Sequence, residues 1–369
     1  AGLDVAVVEA HRLGWGASGR NGGQLSHGPR IDIRRFEAMV GRDDAAKVWA
    51  ISTGATRLVR DLIRRHGIDC DLTDGHIEAA YRHGDVEDAE SFAAHVARNY
   101  GHDGLHVLGR DEIRRRVHAP SYVGGLEDKA GGHLHPLNYA LGLGRAAAAA
   151  GARLFERSIV TRVADGLVET EGGRIHADWV ILACNGYLDG LDRGAAARVM
   201  PINNFIVATE PLGERNPIPG NECVADTRFV LNYFRMTPDG RLLFGGGETY
   251  SQRFPADIPA FVRRPLAKVF PQLADVRIDH GWGGTLAITR HRTPLFRCEG
   301  RRLLIGGWSG AGVHMATMGG AIAADAVRGT LDRWDVLACV PSPAFPGGDR
   351  LRPVLLALAM GWFALRDRL

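Results

Sequence analysis

Leu3-Asp4-Val5-Ala6-Val7-Val8-Glu9-Ala10, followed by Gly14-Trp15-Gly16-Ala17-Ser18-Gly19-Arg20-Asn21-Gly22-Gly23-Gln24, is the stretch on which the rest of the chain is read. Val5 to Val8 is a short apolar run bracketed by Asp4 and Glu9, the pattern of a buried parallel strand that ends in a carboxylate. In a dinucleotide-binding βαβ unit such a carboxylate lies about 20 residues after a glycine fingerprint and accepts hydrogen bonds from ribose hydroxyls. Only eight residues precede Glu9. The expectation is that the first strand, the G-x-G-x-x-G turn and most of the first helix are missing, with Ala1-Gly2 closing that helix. Such a chain is either a fragment or lacks a main pyrophosphate anchor.

The loop after Glu9 partly fills that gap. Gly14, Gly16, Gly19, Gly22 and Gly23 leave backbone amides uncovered, and Ser18, Arg20 and Asn21 add a hydroxyl, a cation and an amide that can bind phosphate oxygens. Taken alone the loop reads equally as a flexible surface segment. Its place directly after the Glu9 strand favours a nucleotide site.

The 369 residues give room for about two domains and a substantial core. A hydrophobic fraction of 45% and a charged fraction of 24% are those of an ordinary globular protein, and a net charge of +3 gives no reason to expect a nucleic-acid partner. Lys47, Lys129 and Lys268 are the only lysines, so nearly all positive charge is arginine. The five cysteines (Cys70, Cys184, Cys223, Cys298, Cys339) are scattered and show no C-x-x-C spacing. That argues against a disulfide framework or a zinc site and for a reducing, cytoplasmic compartment. No signal peptide opens the chain, and the longest apolar stretch, Val354 to Leu365, is too short to span a bilayer.

Along the chain, apolar spacing predicts one or two amphipathic helices over 37–66, a strand over His76–Arg82, a helix over Val86–Tyr100 and a short helix from Asp111 to Val117. Tyr139–Ala150 reads as a helix closed by Gly151, Ala152–Val163 as a strand with Phe155, Ile159 and Val163 inward, and Glu171-Gly172-Gly173-Arg174 as a hairpin. Ala177–Gly186 reads as a continuous parallel strand meeting glycine at its carboxyl end, where open α/β sheets bind ligands. Phe205–Thr209, Phe229–Met236, Leu242–Gly246 and His280–Leu286 read as short strands of an antiparallel sheet walling a substrate cavity, with a turn at Pro238-Asp239-Gly240. Leu303–Ile305 is another buried strand, breaking on glycines into a helix from Val313 to Arg328.

Three motifs agree in order and spacing: the Glu9 strand with Ser18–Gly23, the strand ending Ala183-Cys184-Asn185-Gly186-Tyr187, and Gly307-Trp308-Ser309-Gly310-Ala311-Gly312. Together they resemble the D-amino-acid oxidase superfamily of FAD-dependent oxidoreductases, and Trp282–Thr289 and Phe345-Pro346-Gly347-Gly348 add to the likeness. The resemblance implies an α/β fold in which an FAD-binding Rossmann-like domain, incomplete at its N-terminus, is interleaved with an α+β substrate domain. We assign 1–38, 137–198 and 294–331 to the first, 39–136 and 199–293 to the second, and 332–369 to a C-terminal tail.

The resemblance also implies roles. Glu9 would hold the adenosine ribose. Ser18, Arg20, Asn21, Gly22 and Gly23 would run along the pyrophosphate and flavin, and Val160 would contact adenine. Gly307, Ser309, Gly310, Gly312 and Val313 would offer bare amides at a helix start to the charge of reduced flavin. Ala311 stands where many relatives carry histidine. Ala287 and Ile288 fall near the counterpart of a flavin-linking cysteine, so the FAD is expected to be noncovalent. Arg253 falls near a lysine that helps oxygen accept electrons, leaving oxygen or another acceptor open.

The implied reaction is removal of a hydride equivalent from the carbon beside an amine nitrogen, giving an imine that hydrolyses to an aldehyde. The expected substrate is a small amine, gamma-glutamylputrescine foremost. A sarcosine-like or other amino-acid oxidase or dehydrogenase, and a noncatalytic remnant, are the alternatives. Candidates for the substrate wall are His27, Tyr233, Glu248, Tyr250 and Trp308, with Glu248 suited to a cationic amine. His133 and His135 could suggest a metal pair, but the adjacent Pro136 makes a turn the better reading. Leu351–Leu369 reads as an amphipathic helix that docks on its own protein or a second subunit, with a membrane surface as the alternative.

Overall fold

The computed structural model describes residues 2–188, 190–228, 230–249 and 253–347, without the side chains of 248 and 249. The expected helix within Leu351–Leu369, and with it most of the 332–369 tail, lies outside the described residues, as does Tyr250.

The Glu9 strand forms over Ala6–Val8 and pairs in parallel with Arg153–Phe155, Ala6 facing Arg153 and Val8 facing Phe155. It is half-buried, not buried, because its one hydrogen-bonded neighbour among the described residues is that short strand. The strand expected over Ala152–Val163 is broken in two, Arg153–Phe155 and Val160–Ala164. Between them Arg157 sits at φ 55°, and the turn is used to grip the loop after Glu9: Ser158 N donates to the Glu9 carbonyl and Leu13 N to the Glu156 carboxylate, at 2.9 and 2.7 Å. Phe155 and Ile159, expected inward, are therefore 43% and 54% exposed.

Val180–Leu182 is the regular part of the strand expected over Ala177–Gly186. It ends early because Asn185-Gly186-Tyr187 closes a 3-10 turn with Asn185 at φ 49°. It pairs in parallel with Arg302–Gly306, which pairs antiparallel with Leu295–Glu299. The expected parallel sheet is thus present as two separate pieces.

A nine-stranded sheet makes the larger layer. In spatial order it runs Ile278–Thr289, Val199–Pro211, Arg241–Thr249, Tyr233–Met236, Cys223–Asp226, Thr73–Ala80, Gly124–His133 and Gln24–Leu25, with Leu105–Leu108 also on Gly124–His133. Its two halves come from residues far apart in sequence and join through one parallel contact, Cys223–Asp226 against His76–Ala79. Gln24–Leu25 carries the glycine loop directly onto its far edge, Gln24 facing His133. Alternation sets the faces: Ile77, Val224, Phe234 and Phe244 bury into a core with Phe205, Phe270 and the helix Ile258–Val269, while the intervening residues face the other way.

The helical reading of 37–66 resolves into Ile33–Val40 and Arg42–His66, separated at Gly41 (φ 85°) and closed by Gly67 in the left-handed conformation. Trp49, Ile51 and Ala55 of the longer helix pack with Ile305, Met315, Met318 and Trp334 in a second core that fixes the helix Gly312–Val327.

Candidate active site

A cavity of about 2280 Å³ brings together motifs that are hundreds of residues apart: Glu9, Ser18, Asn21, Gly22 and Gly23 from the first, Val160, then Asn185, and finally Ser309, Gly310, Gly312 and Val313. Its volume exceeds the roughly 300–1,000 Å³ usual for a single small ligand, so it has room for a dinucleotide and a substrate together.

Backbone geometry makes the first wall. Glu9 accepts a hydrogen bond from His11 N at 2.9 Å, which orients the carboxylate at the strand end. A Cβ on Gly19 would lie 2.1 Å from the Gly14 carbonyl, and one on Gly23 (φ 78°) 1.8 Å from that of Leu134. The polar side chains read as phosphate ligands are used to shape the loop. Asn21 donates to the carbonyls of Ala17 and Ser18 and accepts from Gly23 N at 2.8 Å, and Arg20 donates to the carbonyls of Trp15 and Gly283. Arg235, 3% exposed, donates from Nε to the Gly22 carbonyl at 2.7 Å. A buried guanidinium on the sheet thus holds the loop from behind.

The late turn is latched to two other elements. Gly307 N donates to the Asn185 side chain at 3.0 Å, Ser309 N to the Ala287 carbonyl at 2.9 Å, and Thr289 N to the Ser309 hydroxyl at 3.2 Å. Ser309 is 2% exposed at φ 52°, and its hydroxyl also donates to the Gly307 carbonyl, so this side chain is tied into the turn. The helix Gly312–Val327 then starts with no side-chain cap, leaving its first amides and dipole at the cavity. Positive-φ glycines and an uncapped helix start at one cavity fit a flavin dinucleotide. Residues Gly22, Gly23, Gly310, Gly312 and Val313 would hold it. Trp308 packs its ring against Phe296, 6.0 Å between centroids, and against Gly319 in the core.

On the substrate side, Tyr233 lies across Gly245 and close to Gly22, with its hydroxyl donating to Asn204. Arg30 also lines the cavity, its Nε 3.8 Å from where a Gly310 Cβ would be. His27 is elsewhere: it pairs with Asp128 and borders a smaller recess of about 280 Å³ with Thr56, Arg60 and Asp74. Burial opposes ionisation of Asp128, but the hydrogen bond and charge of His27 hold its carboxyl below the usual range. Arg253 is exposed, beside Phe254, whose ring meets Phe205 edge-on at 5.4 Å. Glu248 pairs with Asn204 through the backbone, and its side chain lies outside the described residues, as does Tyr250.

His133 and His135 are engaged at different places. His133 Nε2 bonds the Asn221 carbonyl at 2.9 Å, while His135 caps the helix Pro136–Ala149 by accepting from Asn138 N at 3.3 Å. No group of metal ligands occurs among the described residues. Sequence reasoning placed Asn185 in one of its three motifs without giving it a role, and missed Arg30, Asn204 and Arg235. For Arg235 a signal existed: Tyr233-Phe234-Arg235-Met236 alternates, with a cation on the face opposite Phe234.

Residues 1–326 match the model of a family described as "DAO: FAD dependent oxidoreductase". Over its whole length the chain is 40% identical to the probable oxidoreductase OrdL of Rhizobium meliloti (strain 1021), covering 87% of that protein. It is 39% identical, again over 100% of the chain, to gamma-glutamylputrescine oxidoreductase of Escherichia coli (strain K12), covering 88% of it. In fold it is similar to L-proline dehydrogenase from P. horikoshii (TM-score 0.73, 20% identity, 88% of this chain and 87% of the other). Glycine oxidase from Geobacillus kaustophilus gives a TM-score of 0.72 at 21% identity over 90% and 91%.

Proposed function

The chain belongs to the DAO family of FAD-dependent oxidoreductases, and from that premise we propose that it oxidises the carbon–nitrogen bond of gamma-glutamylputrescine, the resulting imine hydrolysing to an aldehyde. The observation that carries this reading is the full-length 39% identity to an enzyme of that name, joined to a cavity large enough for cofactor and an extended amine. Bound FAD, held noncovalently, supplies the two-electron acceptor. The protein's own part is orientation: Tyr233, fixed by Asn204, closes one wall of the cavity, and the uncapped start of Gly312–Val327 favours negative charge near Gly310. The residues 1–38, 137–198 and 294–331 form the cofactor half in this reading, and 39–136 with 199–293 the substrate half, Gln24–Leu25 crossing into the latter's sheet.

No disulfide joins the five cysteines, and no helix among the described residues is long and apolar enough to cross a membrane. A reducing cytoplasm suits that composition. Oxygen or another acceptor reoxidises the enzyme, with Arg253 as the candidate cation.

Anaerobic mixing with amines tests the substrate. Gamma-glutamylputrescine is expected to bleach the flavin fastest, ahead of sarcosine, glycine and proline. Bleaching by sarcosine and none by gamma-glutamylputrescine would sink the reading, and a protein that never retains flavin would support a noncatalytic remnant. Glu9→Ala should weaken FAD binding by about 1.5–3 kcal/mol, tenfold or more, through lost charge-assisted bonds to ribose. A flavin-fluorescence titration checks this, with the thermal stability of the apoprotein unchanged.

A further inference from the structure

Two neutral side chains that line the large cavity, Gln24 and Asn204, are each only half used by the protein. Gln24 donates from Nε2 to the Val224 carbonyl at 2.9 Å, and its Oε1 has no partner among the described residues. Asn204, 8% exposed, accepts the Tyr233 hydroxyl on Oδ1, and its Nδ2 makes no hydrogen bond among the described residues. Neither spare atom is sealed off by surrounding protein. An amide side chain has a donor half and an acceptor half, so fixing one half decides what the other offers. Gln24 is left as an acceptor and Asn204 as a donor.

Tyr233 ties the two positions together. Its hydroxyl is on Asn204, while its ring lies against Gly22, where a Cβ would be 2.9 Å from Cε2, two residues before Gln24. The carbonyl that holds Gln24 belongs to Val224, which faces Phe234, the residue after Tyr233. An uncharged donor and an uncharged acceptor thus stand toward opposite ends of one aromatic ring. A carboxylate would satisfy Asn204 but set oxygen against oxygen at Gln24, and an ammonium would do the reverse. A trans secondary amide presents its C=O and N–H on opposite edges of one plane, so it meets both, and its flat face can lie on the ring.

We propose that Gln24 and Asn204 form a specificity-determining subsite for a neutral secondary amide in the substrate, Asn204 Nδ2 donating to its carbonyl and Gln24 Oε1 accepting from its N–H. This rests on the substrate reading above, in which the amide joins the glutamyl and diaminobutane parts, and it extends that reading to a class: amines that carry an amide a few bonds from the carbon being oxidised. An amine without one strips water from both side chains and returns no hydrogen bond.

The test is an anaerobic titration of the flavin spectrum with two probes. N-acetyl-1,4-diaminobutane keeps the amide and drops the amino-acid head; 4-ethoxybutan-1-amine has the same chain length with neither C=O nor N–H. Wild type should bind the amide at least about tenfold more tightly. Asn204→Asp keeps the acceptor for Tyr233 and removes the donor, and Gln24→Met keeps the length and removes the acceptor; each should lower that preference at least about fivefold. A wild type without the preference, or variants that keep it, overturns the proposal. A Gln24→Met protein that loses its flavin assigns that side chain to the cofactor and overturns its half, Asn204→Asp then deciding the other. A preference that is present and lost in the variants, with no flavin reduction by gamma-glutamylputrescine, upholds the amide subsite and rejects that substrate. Rapid reduction by gamma-glutamylputrescine with equal binding of the two probes rejects the subsite and leaves the substrate reading in place.

Discussion

Replacing Gly23 with alanine is expected to yield a protein that retains no FAD and is destabilised by about 2–5 kcal/mol, the sum of a left-handed backbone penalty and an overpacking cost. The residue sits at φ 78°, and its Cβ would be 1.8 Å from the Leu134 carbonyl oxygen. Backbone on both sides is held: Leu134 N donates to the Gly23 carbonyl at 2.9 Å, Asn21 takes Gly23 N, and Arg235 takes the Gly22 carbonyl. Nothing flexible can give way, so relief must come from moving the loop off the sheet. Gly41→Ala is the control, since that glycine has a comparable φ of 85° and open space around its Cβ. At ψ 162° its backbone alone should cost about 1–3 kcal/mol, and flavin binding should stay intact. Denaturant midpoints and the flavin-to-protein absorbance ratio measure both variants. A Gly23→Ala protein with full flavin and less than about 1 kcal/mol of lost stability would show that the packing account of the loop is wrong.

Stability should also fall steeply in mild acid. His133 and His314 are 2% and 1% exposed. Burial, aided by the charge of Arg235, pushes His133 down to about 4, and burial with the nearby His27 and His76 pushes His314 down to about 3. Both ring nitrogens of His314 lack a protein partner. Below pH 6.5 the unfolded chain takes up protons at these positions while the native protein does not, so stability present above that pH is lost on acidification. Each histidine contributes about 1.4 kcal/mol per pH unit, so the pair gives roughly 3 kcal/mol per unit between pH 6 and 4. The buried Asp226 acts in the opposite sense, because its carboxyl is raised by burial and its native form takes up a proton first. Urea unfolding at pH 7, 6 and 5 measures the slope. His314→Met should be about 2 kcal/mol more stable than wild type at pH 5, relative to their difference at pH 7. Parallel profiles for the two proteins would exclude His314 as a source of the slope.

How much of this was readable in advance follows from the range of the forces involved. The Glu9 strand, the Ser18–Gly23 loop and the Gly307–Gly312 turn are local: glycines at tight positions and a carboxylate at a strand end leave a mark within about twenty residues. Their convergence on one cavity was implied by the order of motifs. The broken strand at Arg157 was not readable, since Phe155, Ile159 and Val163 alternate plausibly, and only the tertiary bonds from Leu13 and Ser158 decide the turn. Arg20 and Asn21 have the chemistry of phosphate ligands, but their donors satisfy carbonyls that the sequence does not show to be near. His314 became legible only once the packing of Arg42–His66 on Gly312–Val327 had set which side of that helix is enclosed.

The single parallel contact between Cys223–Asp226 and His76–Ala79 governs the order in which the molecule can assemble. Cys223 is 90 positions beyond His133, so on a ribosome the edge of Thr73–Ala80 stays unpaired for on the order of ten seconds after its own hairpin partner has emerged. Such an edge is a template for misassociation, and closing it requires a long loop whose entropy opposes every early encounter. Synthesis with a holdase present to cover that edge should therefore raise the yield of native enzyme more than any change confined to the flavin loop.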